Sequence, residues 1–382
     1  MLRVLYISHY SELNGANLSL INLLDVWHNQ YEIYPIILLP MEGPIVKQLK
    51  KRGIKYIIMP FYSWEYEKEK FNKPKIYIVK HNIENKYLFY KILKRLENER
   101  IEFDLVHSNS SVIDIGQYLA DKYDIPHVWH LREYGKEDYG LEYCISTRKV
   151  INKYKRATKL IAISKSVQNY YEKFLRTPIE LIYNGVPDTN YRNEYKNNIL
   201  KICCVGLIHR QKNQLELIKA GKVLLDEGNS NFKIYLVGSE ELSYKKELLK
   251  YIENNRMNAY VKFLGRNESI YEILSGMDVG VIPSIKEAFG RVTIEYMISG
   301  IPVIGSNTGG TKELIENGKT GYLYESGNYY ALADTLRKML QDRSKRINMG
   351  KYARQYAKEK FTIEITAKKI MQLYLDIIKE KH

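Results

Sequence analysis

Residues 279–310, V-G-V-I-P-S-I-K-E-A-F-G-R-V-T-I-E-Y-M-I-S-G-I-P-V-I-G-S-N-T-G-G, contain one strand–loop–helix–strand unit. Val279–Ile282 is a short apolar run with β-branched residues, which predicts a buried strand. A helix is predicted over residues 290–299, and residues 302–305 predict the next strand. Because strands that are joined through a helix usually run parallel, this stretch predicts a parallel sheet.

The same alternation of strands and helices extends over the rest of the 382 residues. It lapses at residues 185–198, a polar stretch with proline and asparagine, and it restarts at the apolar run Leu200–Val205. The chain is longer than the roughly 250–300 residues at which a single core stops growing. We therefore predict an α/β protein with two Rossmann-like domains. The predicted segments are an N-terminal domain (residues 1–190), a C-terminal domain (residues 191–360) and a final helix (residues 361–382).

The composition is typical of a globular protein, with 45% hydrophobic and 27% charged residues. No run reaches the roughly 18 apolar residues that a membrane-spanning helix needs, and the opening residues lack a signal-peptide cleavage pattern. The three cysteines, Cys144, Cys203 and Cys204, have neither a disulfide nor a metal-site spacing. We expect Cys203 and Cys204 to be buried thiols within a strand, and the protein to be cytoplasmic.

The formal net charge of +15 is concentrated in two segments. Residues 51–100 carry 13 Lys and Arg against 6 Asp and Glu, and residues 343–382 carry 11 against 4. Such a basic surface suits nucleic acid, anionic lipid or an anionic substrate, and it is equally typical of solvated helix faces. Residues 80–100 suggest an amphipathic helix on anionic lipid, with a core-packed helix as the alternative. The residues of this pattern are Tyr87, Leu88, Ile92 and Leu96 among Lys86, Lys91, Lys94 and Arg95.

The loop and helix after the strand Val279–Ile282 hold two glutamates eight residues apart. The helix start near Gly290 presents free backbone N–H groups and a positive dipole end, which suit a diphosphate. Glu287, just before it, is placed to accept hydrogen bonds from sugar hydroxyls, and Glu295 is suited to a vicinal diol such as a ribose. Two glutamates at this spacing mean little by themselves, but the glycines and prolines around them make the pattern specific.

A second cluster, V-G-L-I-H-R-Q-K at residues 205–212, follows the strand that restarts the pattern. Gly206 provides a turn before the next helix, and Arg210 and Lys212 are two cations able to clamp a diphosphate. Such cations stabilise the charge that develops on a departing diphosphate. The alternative is that Arg210 points into solvent.

The N-terminal half offers a third, weaker set of candidates. Asn14 and Gly15 follow the first strand and open a helix, which is also an ordinary strand-to-helix turn. His130 ends a predicted strand, and an isolated histidine is more often structural than catalytic. His107 and Asn109 also lie at the end of a strand. We assign them, with Asn14, to acceptor contact, and loop capping is an equally compatible role for His107 and Asn109.

These motifs resemble the E-x7-E signature of the family 4 retaining glycosyltransferases, which have the GT-B fold. The resemblance extends over nearly the whole chain. It includes residues 261–265 (V-K-F-L-G), residues 276–279 (G-M-D-V), residues 320–323 (T-G-Y-L) and residues 182–186 (I-Y-N-G-V). The resemblance implies two Rossmann-like domains facing each other across a cleft, with the final helix crossing back to the N-terminal domain.

The resemblance also implies roles for the residues that match. Glu287 would contact the donor sugar and Glu295 the nucleotide ribose. The amides near Phe289 and Gly290, with the Thr293 hydroxyl, would bracket the sugar and the phosphates, and Gly265 ends a motif of the donor half.

In the family's pattern, Lys212 has the expected spacing for the phosphates, but Leu207 occupies the position of the usual arginine. Arg210 is either its replacement or a solvent-exposed residue. Gly15 is the retained member of a glycine pair near the donor phosphates, and His130 matches the active-site histidine.

The predicted function is a retaining, metal-independent transfer of a sugar from a nucleotide-sugar, with UDP as the default, and no cofactor. The acceptor would be a glycan or a lipid-diphosphate-linked sugar, in cell-surface polysaccharide synthesis. No divalent-metal DxD pair supports a metal. The alternatives are another GT-B enzyme (a phosphorylase, a synthase or an epimerase), a non-catalytic relative, and a basic nucleic-acid-binding protein, for which no recognition motif is present.

Overall fold

A computed structural model describes residues 1–67, 74–135, 141–193, 195, 198–267 and 269–381. The chain divides into two compact units. Residues Met1–Gly185 and the C-terminal helix Ile363–Lys381 form the first unit, and residues Val186–Thr362 form the second. These limits lie within a few residues of the predicted segment ends. Each unit is an α/β domain with a parallel sheet, as the alternating pattern predicts.

The first unit, the N-terminal domain, contains a seven-stranded parallel sheet in the order β3-β2-β1-β5-β6-β8-β9. A small antiparallel pair, β4 with β7, was not predicted from the sequence. The strands are β1 Leu2–Ile7, β2 Ile33–Leu39, β3 Lys55–Ile58, β4 Glu65–Glu67, β5 Leu105–Ser108, β6 His127–Leu131, β7 Leu141–Tyr143, β8 Lys159–Ala162 and β9 Glu180–Leu181. The helices are α1 Gly15–Gln30, α2 Pro44–Lys51, α3 Pro74–Asn98, α4 Ile115–Tyr123, α5 Thr147–Arg156 and α6 Lys165–Leu175.

The second unit, the C-terminal domain, contains a six-stranded parallel sheet in the order β12-β11-β10-β13-β14-β15. Its strands are β10 Leu200–Val205, β11 Phe232–Val237, β12 Val261–Gly265, β13 Val279–Ile282, β14 Val303–Ser306 and β15 Gly321–Tyr324. Its helices are α7 Gln214–Asp226, α8 Leu242–Asn254, α9 Ile270–Ser275, α10 Arg291–Ile298, α11 Thr311–Leu314, α12 Tyr329–Gln341 and α13 Arg343–Lys360. Cys203 and Cys204 are buried free thiols in β10, which confirms that prediction.

The last helix, α14 Ile363–Lys381, packs into the core of the N-terminal domain. Its buried residues recur every three or four positions, so they form one apolar face against α1 and the sheet. Burial of each such aliphatic side chain contributes about 1.5–3 kcal/mol, which is enough to hold a helix that the sequence places far from its neighbours. The buried residues are Ile363, Thr366, Ala367, Ile370, Leu373, Tyr374 and Ile377.

Helix α3 corrects the lipid-facing hypothesis in one respect. Ile92 and Leu96, two of the residues assigned to a lipid surface, are 0% and 1% exposed and belong to the core. These two residues mark the side of the helix that packs on the sheet, whereas Tyr87 of the same pattern is exposed. An apolar face has the same sequence pattern whether protein or lipid covers it. Among the residues that the structure describes, no helix is long and apolar enough to span a bilayer.

Candidate active site

Glu287 is the centre of the polar cluster in the C-terminal domain. It lies in the loop after β13, and its side chain is 15% exposed. Its Oε1 accepts a hydrogen bond from the Ser284 hydroxyl at 2.6 Å and is 2.6 Å from the Lys212 Nζ. An ammonium and a hydroxyl on one oxygen fix the direction of the carboxylate. The two predicted clusters, residues 205–212 and 283–310, therefore meet at Lys212 and Glu287.

The backbone around Glu287 is shaped by a close approach of two loops. The amide of Gly310 donates to the Glu287 carbonyl at 2.7 Å. A Cβ on Gly309 would be 2.4 Å from that carbonyl oxygen, and Gly309 has a φ of +52°. A Cβ on Gly310 would be 2.7 Å from the Cα of Phe289. Only glycine fits at these two positions, which explains the pair in physical terms.

Two buried hydroxyls converge at the start of helix α10. Gly290, with a φ of +86°, is its N-cap, and Phe289 before it is buried. Thr293 and Thr311 are 0% exposed, and their hydroxyls have no hydrogen-bond partner among the described residues. A Cβ on Gly290 would be 3.1 Å and 3.4 Å from these two oxygens. Buried hydroxyls are normally paired, so the presence of two unpaired ones beside a helix N-terminus points to a bound polar group.

Glu295 lies in the second turn of helix α10. It is 7% exposed, and its Oε1 accepts from the Arg291 Nε at 2.8 Å, one helical turn away. The pair holds one carboxylate oxygen in place. The geometry is compatible with the expected diol contact through the other oxygen.

The two cations of the second cluster have different surroundings. Gly206 directly follows β10, and Lys212 lies at the end of a short 3-10 turn and reaches Glu287 as described above. The Arg210 Nη2 is 2.5 Å from Glu247 Oε2, and the Arg210 side chain is 67% exposed. Arg210 therefore has the solvent-exposed position that was one of the two alternatives for it, and its replacement of the arginine missing at Leu207 stays a prediction. Gly265 ends β12, and its carbonyl accepts from the amide of Gly238, the residue after β11, at 2.8 Å.

A buried chain of hydrogen bonds runs through the N-terminal domain. The Tyr6 and Tyr374 hydroxyls are 2.6 Å apart, and the Tyr374 hydroxyl is 2.6 Å from His107 Nδ1. His107 Nε2 is 3.2 Å from His130 Nδ1, and the Arg132 Nη2 donates to the same Nδ1 at 3.3 Å. His107 and His130 are 1% and 0% exposed. Burial, helped by the Arg132 charge, holds the pKa of both imidazoles well below the usual value, so both rings are neutral.

Arg132 is itself held by two amide side chains. Its Nε donates to Asn109 Oδ1 at 3.0 Å, and its Nη1 donates to Asn184 Oδ1 at 2.7 Å. Asn109 Nδ2 donates to the carbonyl of Ala16 at 3.3 Å. The side chains of His107 and Asn109 are thus hydrogen-bonded within the N-terminal domain. Their contact with the acceptor stays a prediction.

Asn14 and Gly15 form the start of helix α1. The Asn14 side chain caps the helix by accepting from the Asn17 amide at 3.2 Å, so its oxygen already has a partner. Gly15 is exposed, and a Cβ built on it would meet nothing within 4 Å. The helix start is therefore open at Gly15, which leaves room for a ligand close to the backbone.

Several residues of these clusters were missed by sequence reasoning. Ser284 lies in the quoted motif, Thr311 directly follows it, and Arg132 stands two residues after His130, so proximity in sequence was an available signal. Tyr6 and Tyr374 carried no such signal, because they meet His107 only through the fold. Among the described residues, no group of three His, Cys, Asp or Glu side chains is placed to hold a metal ion.

Two family models match the chain. The model "Glycosyl transferases group 1" matches residues 189–356, and "Glycosyltransferase Family 4" matches residues 45–190. An uncharacterized glycosyltransferase of Methanocaldococcus jannaschii, MJ1178, is 31% identical over 352 residues, which is 87% of this chain and 92% of that protein.

The Escherichia coli UDP-Gal:alpha-D-GlcNAc-diphosphoundecaprenol alpha-1,3-galactosyltransferase is 28% identical over 321 residues, which is 76% of this chain and 79% of that protein. Two further curated relatives align over only 60% and 51% of their own lengths. A crystal structure of Anabaena Alr3699/HepE with UDP and glucose has a TM-score of 0.81 at 21% identity, over 98% of this chain and 100% of that chain. The structural likeness confirms the predicted GT-B fold.

Proposed function

The chain belongs to the glycosyltransferase family 4, the glycosyl transferases group 1, and we propose that it transfers a sugar from a UDP-sugar with retention of configuration at the anomeric carbon. The observation that carries the proposal is the meeting of Lys212 and Glu287 at 2.6 Å, beside the start of helix α10. This arrangement brings together an ammonium, a carboxylate and a helix N-terminus. A sugar joined to a diphosphate needs those three groups.

In the proposed reaction, the bond between the anomeric carbon and the diphosphate oxygen breaks, and the electron pair leaves with UDP. The acceptor hydroxyl attacks from the same face, and its proton passes to the leaving phosphate oxygen. Lys212 and the amides after Gly290 stabilise the growing negative charge of UDP. The hydroxyls of Thr293 and Thr311 complete this anion site.

Two carboxylates recognise the two sugar rings of the proposed donor. Glu287 accepts hydrogen bonds from the donor's sugar hydroxyls, and Glu295 accepts from the ribose diol. We propose that the backbone at Gly15 contacts a phosphate of the donor, and that His130 is a further contact to the donor. Because the Lys212 Nζ is 2.6 Å from the Glu287 carboxylate, donor binding requires Lys212 to share its ammonium between that carboxylate and a phosphate.

We propose that no metal takes part, because Lys212 and the start of α10 supply the positive charge. If EDTA abolished transfer and magnesium restored it, this part of the proposal would be wrong. A change in rate with EDTA is measured most directly on UDP release.

For the acceptor, we propose a glycan on a lipid diphosphate, used in cell-surface polysaccharide synthesis at the inner face of the membrane. The relative from Escherichia coli supports this choice, since its name states a diphosphoundecaprenol acceptor and a UDP-Gal donor. The basic segments 51–100 and 343–382 are compatible with an anionic acceptor or surface.

The test is a panel of nucleotide-sugars, scored by thermal stabilisation and by hydrolysis without acceptor. We expect one or a few UDP-sugars to stabilise the protein and to release UDP. The anomeric configuration of the transferred sugar, read by proton NMR, tests retention separately. Stabilisation by none of the nucleotide-sugars would contradict the proposed donor site.

A further inference from the structure

Helix α3 carries an exposed apolar stripe on the side opposite its core face. Five of its large apolar residues are more than half exposed, at spacings of three and four positions. At 3.6 residues per turn they fall within about 80° of the helix circumference. We call them the α3 stripe. Its members are Ile76 (68%), Val79 (59%), Ile83 (64%), Tyr87 (57%) and Tyr90 (51%).

The stripe is not the outer edge of the core-packed side. Phe89, Ile92 and Leu96 are buried and lie on the opposite side of the helix. Among the other described helices, none carries more than two large apolar residues that are exposed. Single exposed apolar residues are ordinary, but five exposed apolar residues along one line of a helix indicate a binding face.

Lysines lie along both sides of the stripe. Lys80, Lys86, Lys91 and Lys94 are exposed, and the Lys91 ammonium lies over the Tyr87 ring, 4.6 Å from its centroid. Lys80 and Lys94 pair with Glu84 and Glu97, whereas Lys86 and Lys91 make no ion pair with a described residue. Long lysine side chains keep their charge at a headgroup while their stems cover apolar surface.

We propose that the α3 stripe docks the N-terminal domain on a bilayer that contains anionic lipid. The helix lies in the plane of the interface, with the isoleucines and valine among the acyl chains and the tyrosine hydroxyls at the headgroups. The lysines on both flanks contact anionic headgroups. A second copy of the stripe fits less well, since docking the two would bring lysines against lysines.

The inference rests on the proposed lipid-linked acceptor for its purpose, because docking brings the enzyme to an acceptor that stays in the membrane. Its test does not depend on that function. Binding is measured by co-sedimentation with phosphatidylcholine vesicles, with and without phosphatidylglycerol, and without any sugar donor. The variant is Ile83→Asp with Tyr87→Asp, and the matched control is Leu242→Asp, an exposed leucine (73%) in the other domain.

We expect the native chain to bind only the anionic vesicles, and the double variant to bind at least about tenfold more weakly. Replacing Lys86 or Lys91 by Gln should weaken binding about fivefold each and reduce its salt dependence. Binding of the double variant at the native level, or no native binding to anionic vesicles, would overturn the proposal. A concentration-dependent dimer lost in the double variant would assign the stripe to a second copy instead. Donor hydrolysis separates the two proposals, since it should be normal in the double variant.

A second inference concerns His130 and rests on the buried hydrogen-bond chain. An arginine side chain only donates, so the Arg132 Nη2 leaves His130 Nδ1 as an acceptor. His107 Nε2 lies against the same Nδ1, so it carries the proton, and His107 Nδ1 accepts from the Tyr374 hydroxyl. Tyr374 in turn accepts from Tyr6. Every bond in the chain therefore has one direction.

The chain ends at His130 Nε2, which is buried and has no partner among the described residues. We infer that Arg132, His107 and Tyr374 are positioning residues that hold His130 as a neutral Nε2–H hydrogen-bond donor. His130 then cannot act as a general base, because its second nitrogen is occupied by two donors. For the proposed transfer, this makes it a donor to an oxygen of the substrate.

The test is the tautomer of His130, read by NMR on protein labelled at histidine nitrogen. We expect the Nε2–H form without titration from about pH 5.5 to about pH 8. Arg132→Met should give a mixture of tautomers and a higher pKa, because it removes both a donor and a charge, whereas Arg132→Lys should restore much of the Nε2–H form.

Tyr374→Phe and Tyr6→Phe are the matched pair. The first removes the donor to His107, so the tautomer of His107 should become mixed, while the second leaves that donor in place. An Nδ1–H form of His130 in the native protein would overturn the inference. That result would leave the proposed transfer untouched, because the measurement needs no substrate.

Discussion

The polar clusters of the two domains differ in how far apart their residues lie in the sequence. In the C-terminal domain, Ser284, Glu287, Gly290 and Thr293 come from a single strand–loop–helix unit, while Lys212 and Thr311 come from outside it. In the N-terminal domain, the partners of His130 come from strands and from the last helix, with 368 positions between Tyr6 and Tyr374. The first cluster is local and partly open, whereas the second is distributed and buried.

The difference shows what each cluster is suited to do. A local loop with a carboxylate and an ammonium on its surface can rearrange around a charged ligand. A buried network of neutral rings and one arginine cannot rearrange cheaply, because each unpaired polar group would remain in a low dielectric. It therefore fixes a proton position and stiffens the domain. The experiments below test this division.

The largest effect is expected for Glu287→Gln, which keeps the shape of the side chain and removes its charge. Without the carboxylate, Lys212 and the sugar hydroxyls lose a shared acceptor. We expect transfer to fall by about a thousandfold, with the fold retained. The rate is measured on UDP release, and the fold is checked by circular dichroism. Glu253→Gln, an exposed glutamate on α8, is the control and should transfer sugar at the native rate. Transfer by the Glu287 variant within about fivefold of the native rate would remove Glu287 from the site.

The second prediction is that acid destabilises the N-terminal domain before the C-terminal domain. Burial lowers the pKa of His127 to about 3 and the pKa of His107 and His130 well below the usual value. In the unfolded chain these groups bind a proton below about pH 6.5. The folded domain does not, so their stabilisation is complete above that pH and is lost as the pH falls toward 3. Three such groups give a slope of up to about 4 kcal/mol per pH unit.

The chain offers a convenient probe for this prediction. All three tryptophans, Trp27, Trp64 and Trp129, belong to the N-terminal domain, and the C-terminal domain has one histidine in its sequence, His209. Tryptophan fluorescence in urea should therefore report a loss of stability between about pH 6.5 and about pH 5. Far-UV circular dichroism, which sees both domains, should retain a later transition. A free energy of unfolding that stays constant over this pH range would contradict the argument.

More of the C-terminal cluster than of the N-terminal cluster could be predicted from the sequence, because its residues lie close together in the chain. The motif of residues 279–310 predicted the strand, the helix and the position of Glu287, because all lie within one local unit. It did not predict that Lys212 would pair with that carboxylate while Arg210 pairs with Glu247, because these ion pairs join separate parts of the chain. The role of Arg132 and the partnership with Tyr374 depend on contacts across the sheet and α14, and no spacing in the sequence encodes them. For α3 the sequence left a lipid surface and a core-packed face as alternatives, because amphipathicity alone does not state which side meets protein. Ile92 and Leu96 pack in the core, whereas Tyr87 is exposed.

The third prediction uses the two cations as a matched pair. Lys212→Met removes the ammonium beside Glu287, and we expect transfer to fall by about a hundredfold. Arg210→Met removes a guanidinium that is held by Glu247, so the rate should stay within about twofold. Both are measured as UDP release under donor saturation. Equal losses in the two variants would show that Arg210 leaves Glu247 when the donor binds.

The smallest effect compares two glycines, one in each domain. Gly309→Ala places a methyl group 2.4 Å from the Glu287 carbonyl at a φ of +52°, so we expect a loss of about 2 kcal/mol in the free energy of unfolding. Gly15→Ala meets nothing within 4 Å and extends a helix start, so its stability should change by less than about 0.5 kcal/mol or rise. If Gly15 approaches a phosphate of the donor, its alanine variant should raise the KM for the donor while leaving stability unchanged. An unchanged KM would mean that the open start of α1 is only a strand-to-helix turn, and that donor recognition rests on the C-terminal domain.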